Sequence, residues 1–106
     1  MEFVHIGVPT KKVQENETYI EGMKVYVTDP ENHDYKFEYL RFDEDSWMPK
    51  KMQGNPHIAI KVHSIEEELK KCEEILVEPT KVNENTTLCF AVRDGVIFEL
   101  MEIASK

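Results

Sequence analysis

A chain of 106 residues that is 41% apolar and 32% charged can bury one modest core, is too short for two, and is too apolar to stay disordered. Thirteen basic against twenty-one acidic side chains give a formal charge of −8, which repels a phosphate backbone or an anionic lipid surface and argues against nucleic-acid and membrane partners. No apolar run approaches the roughly 20 residues that span a bilayer, and the N-terminus lacks a charged-then-apolar leader, so the expected compartment is the cytoplasm. Cys72 and Cys89 show no Cys-x-x-Cys spacing and are expected to be buried, reduced thiols.

In chain order, residues 3–8 read as a strand in which Val4, Ile6 and Val8 alternate with Phe3, His5 and Gly7, and Pro9 stops it. Residues 10–22 are polar, with Val13, Tyr19 and Ile20 as their sizeable apolar members, and read mostly as loop. Residues 23–28 and 35–42 form an antiparallel hairpin across 29–34, a run dense in turn formers. Two prolines, a glycine and Lys50-Lys51 between residues 43 and 56 mark a linker. The chain is therefore expected to be a single domain made of a half module 1–48, a linker 49–56 and a half module 57–106.

The second half opens with a strand at 57–62. A capping box follows, in which the Ser64 hydroxyl accepts from the Glu67 amide and the Glu67 carboxylate reaches back. The stripe Ile65, Leu69, Cys72, Ile75 and Leu76 predicts a helix packed on a sheet. Beyond Glu78-Pro79-Thr80, strands are expected around 81–83, 87–92 and 96–103, with Arg93-Asp94-Gly95 as a tight turn. The fold class is α+β, built from two unequal halves: the second reads β-α-β-β-β, while the first lacks a clear helix.

The halves echo one another. Val4-His5-Ile6-Gly7-Val8 matches Pro56-His57-Ile58-Ala59-Ile60, each placing a histidine on a strand with a small residue two positions on. Phe37-Glu38-Tyr39-Leu40 matches Phe98-Glu99-Leu100-Met101, each after a turn that contains an aspartate. Strand alternation puts Glu99 on the apolar face of Ile97, Met101 and Ile103, where an ionised carboxylate must be paired, protonated or bound to a cation. Glu102, on the opposite face, needs no such account. His5, Glu38, His57 and Glu99 together offer a divalent ion nitrogen and oxygen ligands and leave coordination positions open, whereas a closed structural zinc site would use thiolates. Zinc, nickel, manganese, cobalt and iron all suit such a set.

These strand-borne His-Ile-Gly and His-Ile-Ala segments, the aspartate turns before each glutamate and the paired half modules resemble the vicinal-oxygen-chelate superfamily, also called the glyoxalase/bleomycin-resistance/dioxygenase superfamily. The resemblance covers nearly the whole chain. It implies a cupped, half-open mixed sheet, one divalent metal ion on His5, Glu38, His57 and Glu99, and a small substrate with two neighbouring oxygens processed through an enolate-type intermediate. It further implies that Glu38 or Glu99 acts as general base, so that the chain is a metal-dependent lyase or isomerase. A homodimer is compatible with open sheet edges. The chain departs from the pattern at residues 10–22, where members place a helix on the sheet.

Other readings follow from the same residues. With His5, His57 and Glu99 alone, the set resembles that of the iron(II) ring-cleaving dioxygenases. A metal-free module of the resistance type would trap an apolar ligand, and a structural subunit would keep the ligands as relics. In the linker, Trp47 and Met48 are candidates to line a substrate pocket, although a tryptophan there also serves to anchor a loop. His33 and His63 have no counterpart in the other half and read as solvated.

Overall fold

The computed structural model describes residues 1–104 and contains two compact units, His5–Pro56 on the one hand and Met1–Val4 with the chain from His57 onward on the other. The class is the expected α+β: among the described residues there are eight strands with both parallel and antiparallel pairings, and two short α-helices. Among the described residues, no helix is long and apolar enough to cross a membrane.

In the unit His5–Pro56 the strands run in the order β2 (Thr18–Ile20), β3 (Val25–Val27), β4 (Phe37–Phe42) and the later part of β1 (Glu2–Pro9). The expected hairpin is β3 antiparallel to β4, and β4 then lies parallel to β1 with Gly7 beside Glu38. Its connection is held by Asp29, whose carboxylate accepts from the Glu31 amide at 2.9 Å and caps a single 3-10 turn, Pro30–Asn32. Proline at the start of that turn has no amide to leave unsatisfied.

Strand β2 lies inside the segment expected to be loop. Three residues carry too little pattern to announce a strand, and this one exists through its partner β3, on which Tyr19 packs against Tyr26 at 4.6 Å. The Tyr19 hydroxyl donates to Asp43 at 2.6 Å, a contact that holds its proton up to about pKa 12. The loop before β2 is fastened by Arg41, which donates to both Glu17 carboxylate oxygens at 2.9 and 2.7 Å and lies 4.1 Å over the Tyr26 ring. The guanidinium holds the Glu17 carboxyl below its ordinary range. The linker is not all irregular, since α1 (Lys50–Gly54) turns Met52 inward to 1% exposure.

The other unit runs from the start of β1 through β5 (His57–Lys61), β8 (Val96–Ile103), β7 (Thr86–Arg93) and β6 (Glu74–Lys81). β5 and β8 are parallel, and β8, β7 and β6 are antiparallel neighbours. Asp94 and Gly95 both take positive φ, 53° and 79°, and join β7 to β8 as a two-residue turn whose backbone twist matches that of the strands.

The helix from Ser64 is shorter than its stripe predicted. α2 spans Ile65–Leu69, and Ile75 and Leu76 belong to β6. An apolar stripe at helical spacing does not fix where a helix stops, and here the pairing of Ile75 with Ala91 wins the segment for the sheet. Pro79, expected to precede a strand, sits within β6, where Val77 and Thr80 face Phe90 and Leu88 across a register shift. β6 ends the strand order, and an edge strand with a bulge is where a residue without an amide proton fits.

Only half of the capping box forms. The Ser64 hydroxyl accepts from the Glu67 amide at 3.2 Å, but the Glu67 carboxylate turns to Lys70. The Ile65 amide donates instead to Glu102 at 2.8 Å, so the glutamate that needed no account in the sequence caps α2 from β8. On that face of the sheet, Ile65 packs with Val62, Cys89, Ala91 and Leu100, with Ile60, Leu69, Cys72 and Phe98 around them.

Candidate metal centre

Each unit contains one histidine–glutamate pair built by the same register. On β1 and β4 the residue beside Glu38 is Gly7, two positions after His5. On β5 and β8 the residue beside Glu99 is Ala59, two positions after His57. Residues two apart share a strand face, so each carboxylate lies next to a glycine or alanine and diagonally from the histidine. A larger side chain at Gly7 or Ala59 would be the carboxylate's immediate cross-strand neighbour. Each carboxylate does reach its histidine, with Nε2 to Oε1 distances of 3.3 Å for His5–Glu38 and 3.3 Å for His57–Glu99.

His5, His57 and Glu99 are buried polar residues at 6%, 1% and 7% exposure, and burial of such groups is costly unless they are paired or bind a cation. Glu99 is flanked in register by Ala59 and Phe90, and the His57 ring meets Phe90 edge-to-face at 5.3 Å. Glu38 is the more open carboxylate, with 18% side-chain exposure against 10% for Glu99. His5, Glu38 and His57 each present a ligand atom suited to a divalent ion. The thiols are not part of this chemistry: Cys89 packs on the α2 side of β7, and burial pushes it up to about pKa 12.

The two linker residues differ in burial. Trp47 is 55% exposed and its indole donates to the Gly22 carbonyl at 2.7 Å, which ties the linker down, while Met48 is buried at 4%. His63 is exposed, as expected. His33 is not solvated: it stacks on Phe37 at 4.5 Å, and its Nδ1 accepts from the Tyr35 amide at 3.0 Å. Alternation could not have shown this, since residues 33–36 form a turn closed by the Lys36 amide donating to the His33 carbonyl at 2.9 Å, with Lys36 at φ 58°, and β4 begins only at Phe37.

No family model matches the sequence, and no curated protein does. Among solved structures, the crystal structure of a hypothetical protein from Bacillus halodurans C-125 superposes with a TM-score of 0.69 at 23% identity, over 99% of this chain and 96% of that one. At that identity the likeness is one of fold.

Proposed function

We propose that the chain binds one divalent metal ion through His5, Glu38, His57 and Glu99 and works as a metal-dependent lyase or isomerase of the vicinal-oxygen-chelate type. The observation that carries this reading is the repetition of one device: a histidine, a small residue two positions on, and a carboxylate seated beside that small residue and 3.3 Å from the histidine. A single buried ion pair is an ordinary structural feature. Two made the same way in unequal halves fit a shared task better, and their imidazole and carboxylate donors suit zinc, nickel, manganese, cobalt or iron.

Such an ion supplies Lewis-acid polarisation of two neighbouring oxygens on a small substrate. The chain's own groups provide the rest. His57 and Glu99 are buried beside Ala59 and Phe90, packing that would hold their orientation as ligands. Glu38, the more open of the two, is the carboxylate placed to take a proton from a carbon next to a carbonyl and return it.

Elemental analysis of stripped and reconstituted protein tests the reading. One equivalent of metal per chain is expected, with metal content falling sharply in His57→Ala and Glu99→Gln. Glu38→Gln should slow deuterium exchange at the carbon next to the carbonyl of small hydroxyketones, followed by proton NMR, more than it lowers metal content. Failure to take up any divalent ion, or full metal content in both His57→Ala and Glu99→Gln, refutes it. A chain that stayed metal-free while trapping small apolar molecules would be a resistance-type module, and bound iron with oxygen consumption would indicate ring cleavage.

A further inference from the structure

The two units treat the back of their glutamate-bearing strand differently. On β8 the residues flanking Glu99, Phe98 and Leu100, face away from it and pack in the cluster that contains Ile65 and Leu69 of α2. On β4 the matching residues, Phe37 and Tyr39, flank Glu38 and face away from it in the same manner. Among the described residues, no α-helix forms between β1 and β2, and the single turn Pro30–Asn32 is what lies beside β4. A cavity of about 340 Å³ lies there instead, walled by Phe37, Tyr39 and His33 and rimmed by Glu15, Asp29 and Asn32.

We propose that this cavity is a second binding site, separate from the proposed metal centre, for a small organic cation with an ammonium head. Its aromatic wall is organised before any ligand arrives. His33 and Phe37 are stacked at 4.5 Å and 8°, and Tyr39 stands edge-on to both at 5.8 and 6.2 Å. His33 Nδ1 accepts from the Tyr35 amide, so the proton of the neutral ring is on Nε2, which faces the Tyr39 hydroxyl at 3.5 Å. That arrangement fixes the ring orientations, and aromatic faces attract a cation through their quadrupole.

The charges agree with the same ligand. Glu15 and Asp29 bring carboxylates to the rim, and no lysine or arginine is among the described residues of the wall. The neighbouring Lys36 is engaged with Glu31 at 2.7 Å. Where the second half covers this face with the apolar cluster around Ile65, Cys89 and Phe98, the first half offers rings and anions, which suit an amine and not a further apolar helix.

Choline and its neutral isostere 3,3-dimethylbutan-1-ol, titrated separately into the full chain and followed by NMR of the ring resonances of Phe37, Tyr39 and His33, separate the cases. Choline should shift these resonances saturably, with the isostere about tenfold weaker. Glu15→Gln, on an exposed loop and harmless to folding, should weaken choline severalfold. Tyr39→Leu should remove the effect, while Glu99→Gln should leave it unchanged whether or not the metal reading holds. Equal affinity for choline and the isostere, or no shift with choline at any attainable concentration, overturns the proposal. Ring shifts that depend on protein concentration alone overturn it too, since a second copy of the chain would then be the occupant.

Discussion

Replacing Ala59 by valine tests the idea that a small residue makes room for each carboxylate. Ala59 is fully buried and sits beside Glu99 in register, with His57 two positions before it. Two methyl groups added at a position with 0% exposure have to be fitted into a packed interior, and overpacking of this kind costs about 1–3 kcal/mol. In a domain of this size, each kcal/mol corresponds to a fall of about 4–8 °C in Tm. If the methyl groups also push the carboxylate off its line to His57, metal affinity should fall by about 10- to 100-fold, as it does when a group that orients a ligand is lost. Ala91→Val is the control. Ala91 is equally buried but packs on the α2 side with Cys89 and Leu100, so it should lose comparable stability and keep its metal affinity. Thermal melts of the metal-free proteins and metal titrations with a competing chelator give both numbers. Should the two variants lose stability alike and both bind metal like the parent, steric room beside Glu99 would not be what builds the pair.

The cap on α2 should be worth measuring, because Glu102→Gln replaces a charged acceptor of the Ile65 amide with a neutral one, and urea denaturation should show a loss of about 1 kcal/mol. An unchanged midpoint would mean that Ser64 alone suffices. Cys89, raised to about pKa 12 by burial, and Cys72, also raised by burial, should both be slow to react with a disulfide reagent at pH 8 and fast once the chain is unfolded. Prompt reaction of either thiol in the native protein would contradict this. Tyr19 is raised from 10 to about 12, first by its hydrogen bond to Asp43, so the stability it adds is complete below pH 10 and is lost as pH rises towards 12. Absorbance titration at high pH should show Tyr19 ionising late, and Asp43→Asn should bring its transition back down. For Glu17 the sign is reversed: Arg41 lowers its pKa, so its contribution is present above 4.5 and fades as pH falls through the lowered value, which Arg41→Met should abolish in acid denaturation.

Local pattern carried a good deal of this fold. Alternation in residues 3–8 and 57–62 marks β1 and β5, and the turn chemistry of Asp94-Gly95 marks the β7–β8 hairpin. The echo between the halves singled out His5, Glu38, His57 and Glu99, and strand alternation alone placed Glu99 on an apolar face, where it is 7% exposed. What failed depended on distant partners. β2 exists because β3 is beside it, and the end of α2 was decided when Ile75 paired with Ala91. Glu102 gained a role from a helix 37 positions away along the chain.

The amino-acid order by itself determined which face of each strand a residue occupies, because a period of two is a property of the extended backbone. It therefore put His5 with Gly7 on one face, His57 with Ala59 on another, and marked the glutamates as their counterparts. Only the tertiary structure decided that Gly7 lies beside Glu38 and Ala59 beside Glu99, since register is set by hydrogen bonds between strands far apart in the chain. The same holds for the back of β4, where His33, Phe37 and Tyr39 meet around a cavity and the described residues form no α-helix between β1 and β2.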